Sequence, residues 1–469
     1  MRAATILITP LVNRSGPIRI LLVSCYDLGR QPVALASAGA FLEQAGHQVD
    51  YLDLAIDENI PDGPYRLIAF STPMHTALRV AVDAAEASRR TLPGAHITFF
   101  GYYGWLNAGM LFERSLADSV LGGEPEQQLL DLANRLAAAG AAKLPESRLP
   151  PMLTRPNYPV PNRVRLPALE RYARFLEGGQ TRLAGAVETT RGCKVLCTHC
   201  PIPPVYGGKF LAIPMDVVMA DIANLVEAGA EHITFADPDF LNGPTHAKKV
   251  VGAMHERFPD LTFDFTARVR HVLDNRAILA EFARCGARFA VSAVESLNER
   301  VLRILDKGHT PEEAREAVRV LQDQGIPMRP SLLPFNPWST LSDYEELLDW
   351  VEEENLALNV DPVQFSIRLL VPPGSLLAEH PEMTPYLLDL DQDRLCYTWS
   401  HPDPRMDRLH RNIATIVEHA ARSDEDPYKT YSRIRSAFDT VAGKDPTPSR
   451  IHPAREAHGP PRLTENWFC

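Results

Sequence analysis

Three cysteines, Cys193, Cys197 and Cys200, lie within eight residues in the spacing CxxxCxxC. Clustered thiolates bind soft metals, and a structural zinc site closes with four ligands, usually from two CxxC pairs. The sequence has no second CxxC pair, and its other cysteines are scattered singly. Three thiolates match a 4Fe–4S cluster that leaves its fourth iron open to another ligand. His199 could instead complete a mixed zinc site, so zinc is the alternative.

The composition excludes several classes of protein. Hydrophobic residues make up 45% and charged residues 23% of the 469 residues, as in ordinary soluble globular proteins. The net charge of −11 argues against a phosphate-neutralising surface, so we expect no nucleic-acid partner. Apolar runs stop well short of about 18 residues, which predicts no transmembrane helix and no membrane partner. Without a signal-peptide layout or a disulfide framework, the chain is predicted to be cytoplasmic.

Residues 1–140 alternate apolar strands with amphipathic helices. The strand candidates are "IRILLVSCYD", "HQVDYLDL", "YRLIAFSTP" and "AHITFFG", followed by a short strand and a helix in "DSVLGGEPEQQLLDLANRLAAAG". Short strands separated by helices of about ten or more residues specify a parallel sheet with right-handed crossovers. The fold class is therefore α/β, with a doubly wound N-terminal domain whose ligand binds at the carboxyl ends of the strands.

Three further regions follow the first domain. Residues 141–182 are rich in proline, which predicts an extended linker. Residues 183–380 repeat strand and helix six times, which predicts a partial (β/α)6 barrel of the TIM type with its chemistry at the carboxyl ends of the strands. The sixth strand is expected in "DPVQFSIRLLVPPGS". Residues 381–469 contain helical pieces without a repeat, which indicates a small, mainly helical accessory region.

The cysteine loop follows the first predicted barrel strand, and three other segments accompany it. They are "ITFADPDF" on strand two, "VSAVESLNERVLRILDKGHT" at strand four and "GIPMRPSLLPFNPWSTLSDYEEL" at strand five. In this order the segments resemble the motifs of the radical S-adenosylmethionine (radical SAM) superfamily. The resemblance implies a 4Fe–4S cluster on Cys193, Cys197 and Cys200. It also implies that the open iron binds the amino and carboxylate groups of SAM.

The side chains expected around SAM come from the same segments. His199 stands where the superfamily often has an aromatic residue, and it would stack on adenine. The other implied contacts are those of Asp237, Asp239, Ser292 and Glu295. Each acidic residue has a structural alternative, since the aspartates could cap the following helix and Glu295 could be an ordinary loop carboxylate. Arg268 and Arg368, on strands three and six, could hold a carboxylate or oxyanion at the barrel mouth, or form structural ion pairs.

The first domain resembles the cobalamin-binding domains of cobalamin-dependent radical SAM enzymes. The resemblance lies in "ALASAGAFLEQAGHQVDYLDL" and "GGEPEQQLLDL", although the DxHxxG motif that supplies a cobalt ligand is absent. It implies cofactor contacts from the loops after the strands, namely Ser71, Thr72, His75, Gly101, Gly123 and Glu124. The alternative is a domain that keeps this fold as a lid without corrin. In that case the aromatic residues of "GYYGWL" would fill the space of the cofactor.

The last residues, "LTENWFC", place a cysteine at the end of the sequence. This feature resembles the CUAEP/CCAEP-tail radical SAM proteins, whose tails pair a cysteine with selenocysteine or a second cysteine. The resemblance implies a catalytic role for Cys469, and a sequence that stops where a selenocysteine codon is read as a stop. A tail with an incidental cysteine is the alternative.

The function that these features imply is a transferase. We expect a radical SAM enzyme that cleaves SAM reductively and modifies a small molecule by methyl or 3-amino-3-carboxypropyl transfer, to carbon or to a metalloid such as arsenic. An electron donor such as flavodoxin or ferredoxin would be its protein partner. The alternatives are a radical modifier of a peptide or protein, and a non-catalytic iron–sulfur redox or sensor protein.

Overall fold

The computed structural model describes residues 16–57, 59–154, 157–445 and 459–465. Cys469 and the first 15 residues lie outside this set, so the predictions made for them stay predictions. Within the described residues, no helix is long and apolar enough to cross a membrane.

Six parallel strands form the first sheet. They are β1 Arg19–Ser24, β2 Gln48–Asp53, β3 Leu67–Ser71, β4 His96–Phe100, β5 Ser119–Gly123 and β6 Ser147–Met152. Their order across the sheet is β2-β1-β3-β4-β5-β6, and every neighbouring pair is parallel. The first five strands follow the flavodoxin-like order, in which the ligand crevice lies between the carboxyl ends of β1 and β3.

Helices cover both faces of this sheet. They are α1 Val33–Gln44, α2 His75–Thr91, α3 Tyr102–Leu106, α4 Ala108–Glu113 and α5 Pro125–Ala139. Val23 and Phe70 of the strands pack with α2 on one face, while Leu22 and Ala69 pack with α1 and α5 on the other. Strand residues that alternate between two buried faces give a doubly wound domain, as predicted.

The proline-rich segment contributes to the first sheet. Strand β6 lies within residues 141–182 and pairs with β5. Pro150 and Pro151 are tolerated there because β6 is an edge strand, whose outer side needs no amide donors. Further along, Tyr158 and Tyr172 are buried, so this part of the segment packs against the domains that it joins.

The second sheet contains the barrel. Its strands are β7 Arg174–Glu177, β8 Gln180–Val187, β11 His232–Phe235, β12 Thr262–Thr266, β13 Ala287–Glu295, β14 Met328–Leu332 and β17 Arg462–Leu463. The intervening β9 Thr190–Gly192 and β10 Phe210–Ala212 form a separate two-stranded sheet. The order is β14-β13-β12-β11-β8-β7-β17. Strands β8, β11, β12, β13 and β14 are parallel, and β7 and β17 add antiparallel pairings at one edge.

The short helix α6 Pro203–Tyr206 lies between β9 and β10, and the other helices of this region follow the barrel strands on the outside. The outer helices are α7 Met215–Glu227, α8 Pro244–Arg257, α9 Val269–Asp274, α10 Arg276–Arg284, α11 Glu299–Ile304, α12 Pro311–Asp323 and α13 Leu341–Glu353. The larger helices share one core with the strands, in which Val250, Leu321 and Trp350 are fully buried. This is a partial barrel with an open side.

The predicted sixth strand is replaced by irregular structure. Residues Pro362–Ser366 form a 3-10 helix, and Arg368 makes only an isolated parallel bridge with Phe335. Prolines at 362, 372 and 373 lack the amide donors that a full strand needs. The chain therefore returns beside β14 without completing a sixth parallel strand.

The C-terminal region closes the open side. A hairpin of β15 Leu387–Asp391 and β16 Cys396–Trp399 precedes two helices, α14 Pro404–Ser423 and α15 Pro427–Ala442. Both helices bury apolar residues in the barrel core, among them Met406, Ile413 and Phe438. The hydroxyl of Tyr431 donates to the carbonyl of Leu348 at 2.8 Å. The helix pair thus covers the position at which a sixth strand is missing.

Candidate active site: the cysteine loop and its surroundings

The three cysteines lie on a loop that a small hairpin closes. Strand β9 follows β8 directly and pairs antiparallel with β10, so residues 193–209 project from the carboxyl end of β8. Gly192 has φ +76°, and a Cβ there would meet Tyr206 Cδ1 at 2.4 Å and the Lys209 carbonyl oxygen at 2.5 Å. Only glycine fits this position, and it fixes the direction in which the loop leaves the barrel.

Each cysteine of the loop has a defined neighbour. Cys193 Sγ lies 3.7 Å from Asn242 Oδ1, and Cys197 Sγ lies 3.6 Å from the carbonyl oxygen of Asp306. The Cys200 amide donates to the Cys197 carbonyl at 3.2 Å. Burial is the main cause that raises the pKa of Cys200 to about 12, and the two neighbouring thiols act in the same direction. Since thiolates bind iron, cluster binding at this loop must release protons.

The arrangement argues against a single zinc ion. Within the described residues, no group of three or more His, Cys, Asp or Glu side chains is placed to hold one metal ion. His199 Nε2 faces Glu295 Oε1 at 3.4 Å and not the sulfurs. In a 4Fe–4S cluster each thiolate binds a different iron, so the sulfurs need not converge on one point. The loop therefore fits a cluster better than a mixed zinc site.

Asp237, just after β11, is engaged by the chain that leads into the loop. Its carboxylate accepts hydrogen bonds from the Thr189 amide at 3.1 Å, the Thr189 hydroxyl at 2.8 Å and the Thr190 hydroxyl at 2.5 Å. Burial raises its pKa to about 7, although these hydrogen bonds oppose the shift. In the structure, Asp237 fixes the residues that precede Cys193.

Asp239 makes the contacts of a helix cap. One carboxylate oxygen accepts from the Leu241 amide at 3.1 Å, and the other lies 2.6 Å from His271 Nδ1. The first contact is the helix cap that was the alternative prediction for Asp239. The second contact links the carboxylate to α9. Both acidic side chains of "FADPD" are therefore committed to protein partners.

Glu295 occupies a strained position at the end of β13. Its φ is +64°, unusual for a residue with a side chain, and the pairing with β14 shifts register beside it. Lys307 Nζ lies 3.1 Å from Glu295 Oε1. Burial would raise the pKa of Glu295, but the charge of Lys307 and the hydrogen bond of His199 outweigh it and lower the pKa to about 2. Glu295 is therefore ionised and holds the loop through His199.

Several buried polar atoms around the loop have no hydrogen-bond partner among the residues that the structure describes. They are Ser292 Oγ, Asn242 Nδ2, His199 Nδ1 and Arg268 Nε. Ser292 is fully buried on β13, and Asn242 is 2% exposed beside Cys193. An unsatisfied buried polar atom is costly unless a ligand or water completes it. The donor set beside the thiols thus fits a polar cofactor with amino, carboxylate and hydroxyl groups.

The two arginines predicted at the barrel mouth lie in different places. Arg268 donates to the Lys307 carbonyl, and its charge opposes the rise that burial causes in the pKa of Cys197, so it lies beside the loop. Arg368 pairs with Asp407 at 2.7 Å and lies 3.6 Å over the ring of Trp399. Arg368 therefore forms the structural ion pair that was its alternative prediction.

Comparison with known families agrees with this geometry. Residues 187–351 match the model of the Radical SAM superfamily. The chain contains a radical SAM domain. The superfamily uses a 4Fe–4S cluster and SAM, and Cys193, Cys197, Cys200 and the unpartnered polar atoms beside them fit those two groups.

Curated relatives match part of the chain at low identity. An uncharacterized methyltransferase of Pyrococcus horikoshii is 24% identical over 208 residues, 44% of each chain. A tRNA-2-methylthio-N(6)-dimethylallyladenosine synthase of Haemophilus influenzae is 23% identical over 237 residues, 47% of each chain. The chain thus spans about half the length of these relatives, and the relatives support the domain and not a substrate.

Two solved structures share the wider fold. OxsB, a cobalamin-dependent SAM radical enzyme with aqua-cobalamin bound, has a TM-score of 0.65 and 14% identity, and the match covers 92% of this chain and 80% of OxsB. TsrM from Kitasatospora setae, a radical SAM methyltransferase with tryptophan and a SAM analogue bound, has a TM-score of 0.56 and 20% identity, with 72% and 71% covered. The pairing of the two domains is thus a known architecture.

The predicted cobalamin contacts lie at the carboxyl edge of the first sheet. Thr72, Gly101, Gly123 and Glu124 contact other parts of the protein, and His75 Nε2 lies 2.7 Å from the carbonyl oxygen of Arg394 in the β15–β16 turn. Ser71 is buried at the end of β3. The side chains of Thr72 and Glu124 are thus engaged by other groups of the protein. All six residues stay predictions as cofactor contacts.

A buried ion cluster joins this edge to the radical SAM domain. Arg191 on β9 pairs with Glu126 Oε1 at 2.6 Å, Glu188 Oε2 at 2.8 Å and Glu124 Oε2 at 3.0 Å. Burial would lower the pKa of Arg191, but the three carboxylates together raise it. Glu124 also accepts from the Tyr206 hydroxyl at 2.6 Å. The cysteine loop is therefore held on both sides by the first domain.

Sequence reasoning missed several of these residues. Asn242 is distant in sequence from Cys193, as Glu126 is from Arg191, and a single arginine before the cysteine motif carries no recognisable signal. Lys307 belongs to the "KG" pair of the strand-four motif, so that motif was the available signal for the partner of Glu295.

We predict that Cys193→Ala, Cys197→Ala and Cys200→Ala will each abolish the visible iron–sulfur absorption and SAM cleavage, because each thiolate holds one iron. Absorption spectra and iron content after anaerobic reconstitution measure this. Cys25→Ala and Cys285→Ala are the controls and should keep the cluster. A loop variant that still cleaves SAM would contradict the assignment.

We predict that Arg191→Met will destabilise the protein by about 3–5 kcal/mol, since it leaves buried carboxylates without a counter-charge. Denaturant unfolding measures the loss. Arg270→Met is the matched control, because Arg270 is half exposed and pairs with Asp274 and Glu313 at the surface. Exposed pairs contribute at most about 1 kcal/mol, so equal losses in the two variants would disprove a special role for Arg191.

Proposed function

We propose that this protein is a radical SAM enzyme that cleaves SAM reductively and transfers a group to a small molecule. The observation that carries the proposal is the loop of Cys193, Cys197 and Cys200 at the carboxyl end of β8. Around it lie buried polar atoms for which the described residues supply no hydrogen-bond partner. The match to the Radical SAM superfamily over the same residues supports it.

The bound cluster and SAM would together supply one-electron cleavage of a carbon–sulfur bond. The protein residues position these groups. The three cysteines would bind three irons, while Ser292 and Asn242 offer polar atoms to SAM. Glu295 and Lys307 hold His199, and Asp237 holds the threonines before the loop. The first domain and the C-terminal helices exclude water from the barrel mouth, as reactive intermediates require.

A cavity in the barrel is the best candidate for the substrate site. It has a volume of about 230 Å³ and is lined by strand residues including Thr234, Asp237, Thr266, Val291 and Ser331, with Arg30 of the first domain and Glu465 of the C-terminal segment at its edge. A volume of this size suits a small molecule rather than a folded substrate. Asp237 connects the cavity to the residues that precede the cysteine loop.

Arg329 gives this cavity a chemical preference. It is 6% exposed on β14, and one end of its guanidinium pairs with Asp361. Within the described part of the chain, its Nη1 has no hydrogen-bond partner. A buried guanidinium with a free donor suits a carboxylate or another oxyanion. We therefore propose that the substrate is a small molecule with an anionic group that binds Arg329. Arg268 and Arg368 were the residues predicted to bind such a group.

The remaining features of the proposal concern partners and location. The net charge of −11 favours a small molecule over nucleic acid, although some relatives are named as tRNA-modifying synthases. A low-potential donor such as flavodoxin or ferredoxin would supply the electron. The described cysteines are all free thiols, which suits the reducing cytoplasm.

Methyl transfer and 3-amino-3-carboxypropyl transfer, to carbon or to a metalloid such as arsenic, both remain within the proposal. We predict that the anaerobic enzyme with SAM and dithionite will release 5′-deoxyadenosine if it forms an adenosyl radical, and methylthioadenosine if it transfers the aminocarboxypropyl group. Chromatography with mass detection separates the two products.

The serine variants of the three cysteines are the control for non-enzymatic cleavage. Release of neither product by the reconstituted enzyme would contradict the proposed function and favour an iron–sulfur sensor. A product whose formation depends on added peptide or tRNA would instead favour the macromolecular substrates.

We predict that acetate will bind the cavity, that neutral acetamide will not, and that Arg329→Gln will weaken acetate binding at least about tenfold. Hydrogen bonds to charged groups contribute about 1.5–3 kcal/mol, which corresponds to this factor. Saturation-transfer NMR with each probe measures it. Arg270→Gln is the surface control, and equal binding of acetate by the Arg329 variant would disprove the anion site.

A further inference from the structure

We propose that the first domain of this protein is a corrin-free lid, in which the aromatic helix α3 and the strand-end loops fill the space that cobalamin occupies in proteins of this architecture. OxsB and TsrM share the fold and have structures with cobalamin bound. In a doubly wound domain the ligand lies at the carboxyl ends of the strands. The contacts at that edge, strand by strand, lead to the proposal.

Helix α3 begins two residues after β4 and packs directly on the cysteine loop. Tyr102 and Trp105 contact the apolar group of Ile202, Val205 and Tyr206, which also includes Cys193 and Cys200. The rings of Tyr102 and Tyr206 meet edge to face at 6.1 Å. Burial raises the pKa of Tyr102. Aromatic side chains thus lie between the edge of the first sheet and the cysteine loop.

The loops after β3 and β4 close on each other. The Thr72 hydroxyl donates to the Phe100 carbonyl at 2.7 Å and accepts from the Gly104 amide at 3.1 Å. Gly101 has φ +100°, and a Cβ there would meet the Thr72 carbonyl at 2.8 Å. Gly101 therefore permits the approach of one loop to the other, and this closes the position at which a nucleotide tail would need backbone access.

The loop after β5 is filled in the same way. A Cβ at Gly122 would meet the Trp105 ring at 2.9 Å, and a Cβ at Gly123 would meet the Met152 carbonyl oxygen at 2.4 Å. Glu124 is 1% exposed, and its carboxylate accepts hydrogen bonds from Tyr158, Tyr206 and Arg191. Because the glycines of "LGGEP" have no side chains, an indole ring and a neighbouring strand can pack closely against them. Both carboxylate oxygens of the glutamate already accept hydrogen bonds from the protein.

The loop after β1 faces the C-terminal segment. The Tyr26 hydroxyl donates to Glu465 at 2.8 Å, and the Gly29 carbonyl accepts from the Ala173 amide at 2.8 Å. A Cβ at Gly29 would lie 2.7 Å from the carboxylate of Glu465. The crevice between β1 and β3, where the strand order reverses, is therefore bordered by protein groups from three parts of the chain.

A corrin-free lid changes the chemistry that the proposed function allows. With no corrin beside the cysteine loop, a methyl group cannot travel to the substrate on cobalt. This consequence rests on the proposed function. It favours direct transfer from SAM, in which the broken carbon–sulfur bond leaves S-adenosylhomocysteine when the methyl group moves and methylthioadenosine when the aminocarboxypropyl group moves. The lid excludes water from the loop with aromatic carbon, and the ion cluster of Arg191 fixes it in place.

The test is cobalamin binding by the reconstituted full chain. The protein is incubated anaerobically with excess hydroxocobalamin and desalted, and cobalamin is extracted with cyanide and quantified by absorption. TsrM is treated in parallel and should retain cobalamin. We expect this protein to retain less than a tenth as much per chain as TsrM does. Retention at the level of TsrM would overturn the proposal. SAM cleavage is assayed separately, so failure of the proposed function would appear there.

A second measurement tests the aromatic seal. Tyr102→Ala and Trp105→Ala should each lose cluster iron to EDTA at least several times faster than the unaltered protein, because they open the apolar face against Cys193 and Cys200. Phe112→Ala is the matched control, since Phe112 packs on the first sheet away from the loop and should leave the rate unchanged. Equal rates of iron loss in all variants would overturn the lid role.

Discussion

The buried guanidinium of Arg191 is the interaction on which the site depends. It neutralises Glu188, which lies just before β9, and Glu126, in the first turn of α5. The one positive charge is therefore paired with carboxylates of both domains. Ion pairs of this kind add little net stability over apolar packing, but they specify geometry, because a small displacement leaves a buried charge unpaired. The cysteine loop begins two residues after this arginine. Its position relative to the first domain is therefore fixed by electrostatics and not by linker length.

The carboxyl edges of two parallel sheets meet at this point. Parallel sheets bring functional loops to one edge, and here each domain covers the edge of the other. The first sheet supplies Tyr102, Trp105 and Glu124, while the barrel supplies Tyr206 and Arg191. The contact between the two edges also explains why the acidic residues of "FADPD" bind protein groups. The loop that is to bind the cofactor has to be held in position by the protein.

The sequence predicted what is local and repetitive. Alternating apolar segments were sufficient for the doubly wound domain and the five parallel barrel strands. The spacing of Cys193, Cys197 and Cys200 predicted a cluster, and that assignment stays a prediction. The sequence did not predict contacts between segments that are distant along the chain. The pairing of Lys307 with Glu295, of Asn242 with Cys193 and of Arg191 with Glu126 arises only when the topology brings the segments together. The sixth strand failed for a local reason, because prolines at its two ends remove the donors that pairing needs.

The open side of the barrel follows from that failed strand. A sixth parallel strand would narrow the lumen beside β14, where Arg329 and Ser331 line the cavity. A 3-10 turn and two helices cover the gap instead, and Asp361 at the start of that turn holds one end of the Arg329 guanidinium. At the other end, Nη1 has no hydrogen-bond partner among the residues that the structure describes. An irregular segment that looks like a defect in the repeat thus creates the polar wall of the cavity, and it does so at the level of the strand ends, where the cysteine loop begins.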